Sequence, residues 1–402
     1  MKPSRWLAVP LIVLCGILVG PSSTLATGTY RQIASVEVPG LTAFDISYVD
    51  PSTQTYYLAD RTHKGVDVVN AKNNAFLGRI GGFVGFTGNN DTSGPNGVVV
   101  VHSEDEHEDG HEGGGELWAT DGNSTVKVFD LRTRERVATI STGGVNRADE
   151  LALDQRDGLI VVANDAESPS PFVSIISVES RDVVMRIVFD DATNGIEQAV
   201  WDPGTNLFYI ALPEVNGNHH TGEIAVVNPR TLEREPGFPV NNCQPHGLAL
   251  GPHQHLLVGC SGDGIVLGGV VQTLIIDARN GSPVATITQV GGSDEVWFNP
   301  GDHRYYLASY QFRVTPSAPI TPVLGVIDAK ANTWITNVPT GPNPRAPVAG
   351  PHSVAVDPIN NHIFVPLSEL KDAQGNIVRV GQIGVFAAER HEEGEDHGGG
   401  DD

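Results

Sequence analysis

The sequence predicts an all-β protein: a seven-bladed β-propeller, closed by an N-terminal strand that completes the last blade. Three observations carry this expectation. A polar residue followed by an apolar strand, often ending in an Asp-Pro-like turn, recurs at Asp45, Asn96, Asp149, Glu197, His246, Asp294 and His352. The separations are 51, 53, 48, 49, 48 and 58 residues, so one supersecondary unit repeats along the chain. Each period is filled by apolar runs rich in Val and Ile and cut by Gly, Pro, Asn and Asp, and nothing sustains a helical period.

Residues 1–26 read as a secretory signal peptide. Lys2 and Arg5 precede the apolar run Trp6–Val19, and Thr24-Leu25-Ala26 supplies a cleavage site. The run is too short to span a bilayer, Cys15 leaves with it, and no later stretch forms a membrane span. A periodic, globular region follows over residues 29–388. Its 402-residue chain would suit two or three ordinary domains, but a closed array needs no division. The expected localisation is periplasmic or secreted.

Within each repeat a first strand opens at the axial residue, and second, third and outer strands follow. The third strands align as GVDVVN, TVKVFD, VSIISV, EIAVVN, TLIIDA, LGVIDA and QIGVFA. The last of these runs directly into residues 389–402, an acidic, His-containing tail expected to be disordered. Its blade therefore lacks an outer strand, while Gln32–Val38 is a spare one ahead of the first repeat. Pairing the two hides both ladder edges. Strand direction then puts the long second-to-third loops on the face that carries the axial residues, and mostly short turns on the other. Long loops around a mouth commonly wall a binding cleft.

Net charge is −23, from 48 acids against 25 Lys plus Arg. Such a surface repels phosphate backbones, so no general nucleic-acid binding is expected. Outside the leader the chain has Cys243 and Cys260, and in an oxidising compartment two cysteines read first as a disulfide. A hairpin around Gly251–Gln254 brings their positions together. Free thiols and thiolate metal ligands are the alternatives.

Segments such as LWATDGNSTVKVFDLRTRERVATI and QPHGLALGP, followed by LLVGCSGD, resemble the YVTN-repeat, YncE-like propellers of exported bacterial proteins. The likeness spans roughly residues 30–388 and implies the fold and export. It implies no single function, because related propellers serve as binding modules, surface proteins and enzyme domains. Blade four departs most, with Glu235-Pro236-Gly237-Phe238-Pro239 in its outer strand.

Seven polar side chains brought to one axis form the candidate ligand-binding ring: Asp45, Asn96, Asp149, Glu197, His246, Asp294 and His352. Carboxylates gathered in a partly desolvated channel rise in pKa unless a cation or donors compensate. His246, Asp294 and His352 lie on consecutive blades and form the candidate metal set, with nitrogen and oxygen donors that suit Zn or Fe(II). The opposite arc offers oxygen ligands that suit Ca²⁺. The plain structural reading is that the ring staples the axis by hydrogen bonds between blades.

Glu150, Gln198 and Glu295 follow ring members, and strand alternation turns them from the axis toward the next blade. No Gly-x-Ser-x-Gly nucleophile motif, P-loop or dinucleotide fingerprint occurs. The functional expectation is an exported propeller that binds a divalent metal (Ca, Zn or Fe) or a small molecule at the axial mouth. One alternative is a metal-dependent hydrolase or lyase, similar to propeller lactonases, with Glu197 or Glu295 as base. Another is a scaffold for a protein partner. The His-acid stretches 102–112 and 391–397 read as solvated segments or loose metal-capture tracts.

Overall fold

The computed structural model describes residues 29–102, 115–341 and 350–389. The signal-peptide, acidic-tail and most of the His-acid expectations lie outside these residues. The described chain forms seven four-stranded antiparallel sheets in chain order. Blade one is Ser47–Asp50, Thr55–Asp60, Gly65–Asn70 and Ala75–Gly81. Blade seven takes three strands from the C-terminal part, ending with Gln382–Ala388, and its outer strand is Tyr30–Glu37. That pairing runs from Tyr30 opposite Ala388 to Glu37 opposite Gln382. The closing strand thus begins two residues earlier than its apolar pattern suggests.

Why the second strands read as unbroken apolar runs follows from packing. Each of seven core layers lies between two neighbouring blades. In blade three, Val161 and Ala163 pack toward blade four, while Ile160 and Val162 pack toward blade two. Successive side chains on one strand therefore serve two different layers, as the strand period of two requires. A sheet buried on both faces shows no polar alternation.

The Asp-Pro-like closures are side-chain-capped turns. Asp50, Asp202, Asn299 and Asp357 each accept from the backbone N–H two residues on, at 3.1, 2.7, 2.9 and 2.9 Å. They stop most inner strands after three or four residues. Blade four keeps its outer strand through the proline pair, Glu233–Asn241, with a register shift between Ile224 and Val226 opposite Glu235. An outermost strand tolerates the missing N–H groups of proline.

Two loops carry extra structure. One short helix, Gly262–Gly268, is capped by the Ser261 hydroxyl, which accepts from the Gly264 N–H at 3.1 Å. A small hairpin, Leu370–Lys371 with Ile377–Arg379, fills the last long loop. Among the described residues no helix is long and apolar enough to cross a membrane.

Candidate functional site

The axial residues do not open the inner strands in most blades; they sit two residues ahead, as in Asp45 before Ser47. A repeated backbone bond holds them there. The N–H groups of Asp45, Asp149, Glu197 and Asp294 donate to the carbonyls of Ala59, Ala163, Ala211 and Ala308, at 2.8, 2.8, 2.9 and 3.2 Å. The next residue then leaves its own blade. Gly97 N–H donates to the Asp149 carbonyl at 3.3 Å, and Glu295 N–H to that of His352 at 3.1 Å. Each such position is pinned to its own second strand and to the neighbouring blade, and its side chain is left to the axis.

Six of the seven ring residues line one cleft of about 230 Å³: Asp45, Asp149, Glu197, His246, Asp294 and His352. Asn96 is fully buried beside it. Its amide donates to the Ala148 carbonyl at 2.6 Å and accepts from Arg61. For Asn96 the structural reading holds.

Beyond the ring members and Glu150, the cleft is lined by Ile46, Arg61, Asn90, Arg147 and Tyr310. Arg61 pairs with Asp45 and with the Asn90 side chain, the latter at 2.7 Å. Arg147 Nη2 lies 2.7 Å from Asp149 and 2.6 Å from Asp165. Both guanidiniums are nearly fully buried, so half of the ring's carboxylates already have cations. A signal for this was present. Arg61, Asp165 and Tyr310 each lie sixteen residues after an axial Asp, at the end of the second strand.

The remaining arc is different. Glu197, His246 and Asp294 bring one ligand atom each within 4.8 Å of one another. His246 Nδ1 is 3.3 Å from Asp294 Oδ1 and 3.8 Å from Glu197 Oε1. Neither carboxylate has an arginine or lysine in ion-pair contact among the described residues. Burial works against a charged His246, but Glu197 and Asp294 overcome it and lift the imidazole to about 9. Burial likewise lifts Glu197 to about 7, with His246 opposing and Asp294 adding to the rise.

His352 does not join this cluster, which corrects the expected metal set of His246, Asp294 and His352. Its ring stacks on Phe44 at 4.9 Å, and Nδ1 lies 2.8 Å from the Gly350 carbonyl. That orientation aims Nε2 at Asp45 Oδ1, 3.4 Å away. Burial favours neutral His352, and the Asp45 contact outweighs it, so its pKa is raised. On Asp45 itself burial is again opposed, chiefly by Arg61, and the carboxyl is held at about 2.

The residues after the ring members divide. Glu295 turns from the mouth: its Oε2 accepts from the Ser353 hydroxyl and from the Val354 N–H at 3.0 Å. It lines a separate cavity and is not positioned as a base for the cleft, so that candidate role is corrected. Gln198 accepts from Leu248 N–H at 2.8 Å. Glu150 lines both cavities, as does Ile46. Burial and the surrounding acids, Glu295 first, push its carboxyl well above the usual range.

Cys243 and Cys260 are joined, with their Cα atoms 4.6 Å apart. The bond fastens the segment that leads into His246 to the end of the next strand. His219 pairs with Glu214 of its own loop, and His220 Nδ1 lies 2.9 Å from Asn242 Oδ1, just past the outer strand of the same blade. His102, the described edge of the His-acid insertion, contacts Asp50 at 3.0 Å.

The fold is shared with a chain of the solved mitotic checkpoint complex, at a TM-score of 0.60 and 13% identity, covering 95% of this chain and 98% of that one. At that identity the similarity is one of fold. No protein-family model matches the sequence, and no curated protein does.

Proposed function

We propose that this propeller is a binding protein whose axial mouth takes a divalent cation on Glu197, His246 and Asp294. One observation carries the reading: two carboxylates and an imidazole converge at the cleft without the buried arginines that neutralise Asp45 and Asp149. One nitrogen and two oxygen donors suit Zn²⁺ or Fe(II) better than Ca²⁺, which takes six to eight oxygens. Tyr310, also in the cleft, offers a phenol to a ligand bound beside the ion. Fold and loops suit ligand or partner binding in general.

Export and membership among YncE-like propellers are part of the same proposal. The leader-like N-terminus, the repeat segments and the disulfide support them. A hydrolytic role is the weaker reading, since of the two candidate bases, Glu197 and Glu295, Glu197 alone lines the cleft and is itself in the proposed ligand set.

Calorimetry with Zn²⁺, Mn²⁺ and Ca²⁺ tests the proposal on the intact chain, the chain lacking 390–402, and the variant Glu197→Gln plus Asp294→Asn. One Zn²⁺ site that survives truncation and disappears in the double variant supports it. Equal Zn²⁺ binding by the double variant refutes it.

A further inference from the structure

Below the ring the inner strands enclose a second cavity, a channel of about 650 Å³. Tyr48, Leu151, Leu153, Val200, Leu250 and Trp297 line it. All six keep partial exposure although they sit at the centre of the molecule, because the channel itself is what they face. Tyr48 and Trp297 meet edge to face at 5.7 Å, forming one aromatic wall from blades one and six.

The acidic groups of this cavity, Glu150 and Glu295, sit at its ring end. Glu150 is 6% exposed and lines the cavity. Glu295 is fully buried, and its Oε1 has no hydrogen-bond partner among the described residues. Gln198, 9% exposed, lies with them. One basic side chain lines the channel, Arg156, and it belongs to the turn at the far end. Its guanidinium is engaged by Asp157 at 2.8 Å and by Asn206, and it lies over the Trp201 ring at 5.6 Å.

A buried carboxyl oxygen without a donor is costly. A large apolar wall facing a void gains most when an apolar body covers it. One kind of molecule meets both conditions. We propose that the channel binds an apolar primary amine, with its hydrocarbon body along the Tyr48–Trp297 wall and its ammonium at Glu150 and Glu295 Oε1. An ammonium brings three donors and the missing positive charge. A fatty carboxylate would set a third acid beside two, and an alcohol would supply a donor without charge. The site is separate from the cation ligands above, none of which it uses.

The test is binding of n-octylammonium, n-octanol and n-octanoate to the full chain, read by calorimetry and by the emission of Trp201 and Trp297. Expected is saturable binding of n-octylammonium, with affinity rising roughly fourfold per methylene from hexyl to octyl. n-Octanol should bind roughly tenfold more weakly, and n-octanoate not at all. Glu150→Gln should lower n-octylammonium affinity roughly tenfold, leaving n-octanol binding unaltered. Leu153→Trp, which fills the channel from the turn side, should weaken both the amine and the alcohol. Equal binding of octanoate and octylammonium, an unaltered Glu150→Gln variant, or no saturable amine binding would each overturn the proposal.

Discussion

The guanidinium of Arg61 closes on the carboxylate of Asp45, and the same group donates to the Asn96 amide oxygen at 2.7 and 3.0 Å. A single side chain thus ties blades one and two at the axis while neutralising a buried acid. Arg61→Ala leaves that acid without its main counter-charge, and the expected cost is about 3–5 kcal/mol. Adding Asp45→Asn should recover part of the loss, because the stranded charge goes with it. Urea unfolding of the two variants decides the matter; a double variant no more stable than Arg61→Ala counts against the pairing.

The same pair fixes an acid limit. Asp45 is held at about 2 against an ordinary 3.8, so its contribution is fully present above 3.8 and is lost as pH falls through about 2. The magnitude is on the order of 2 kcal/mol. Stability measured from pH 5 downward should fall less steeply in Asp45→Asn than in the unaltered chain. Parallel curves would remove the Asp45 contribution.

The two ring histidines should separate in a metal titration. His246→Gln removes a proposed ligand and should weaken Zn²⁺ binding by more than roughly 100-fold, beyond what loss of a supporting partner costs. His352→Gln, whose ring faces Asp45, should change it by less than roughly tenfold. Comparable losses from both variants would restore the set of His246, Asp294 and His352.

Loss of the disulfide should be felt twice. Cys243→Ser with Cys260→Ser opens a crosslink between residues 17 apart, at a cost of about 3 kcal/mol. Because Cys243 lies three residues before His246, Zn²⁺ affinity should fall as well. Thermal unfolding with calorimetry on the folded variant separates the two effects.

Removing residues 29–37 should expose the edge of Gln382–Ala388 and strip Val36 from the layer it shares with Leu41, Phe44 and Ile383. The expected outcome is a chain that unfolds or associates. Size-exclusion chromatography and circular dichroism would show it, and a stable, monomeric truncation would mean that blade seven needs only three strands.

Blade number and ring position were readable because they recur: an axial residue fifty or so positions after the last leaves its mark on pattern alone. Partner choice does not recur. His352 turns to Asp45 because Phe44 stacks against its ring, whereas His246, with no stacked ring among the described residues, turns to Asp294 and Glu197. Arg61, Asp165 and Tyr310 share one register but not one chemistry, so no repeated letter announced them. The channel was hidden for another reason. Leu151 and Val200 look like core residues in any strand, and only the spacing of seven short strands around an axis leaves a void beside them.

Where the ring is sewn also sets how it responds to load. Tyr30 sits opposite Ala388, and the Glu389 N–H donates to the Thr29 carbonyl at 2.7 Å, so both described ends leave the seam at the same corner. Tension applied through them peels the ladder open one rung after another, instead of shearing all its rungs together. Anchored at both ends, the molecule should yield first at blade seven and at low force, with the other six blades still folded.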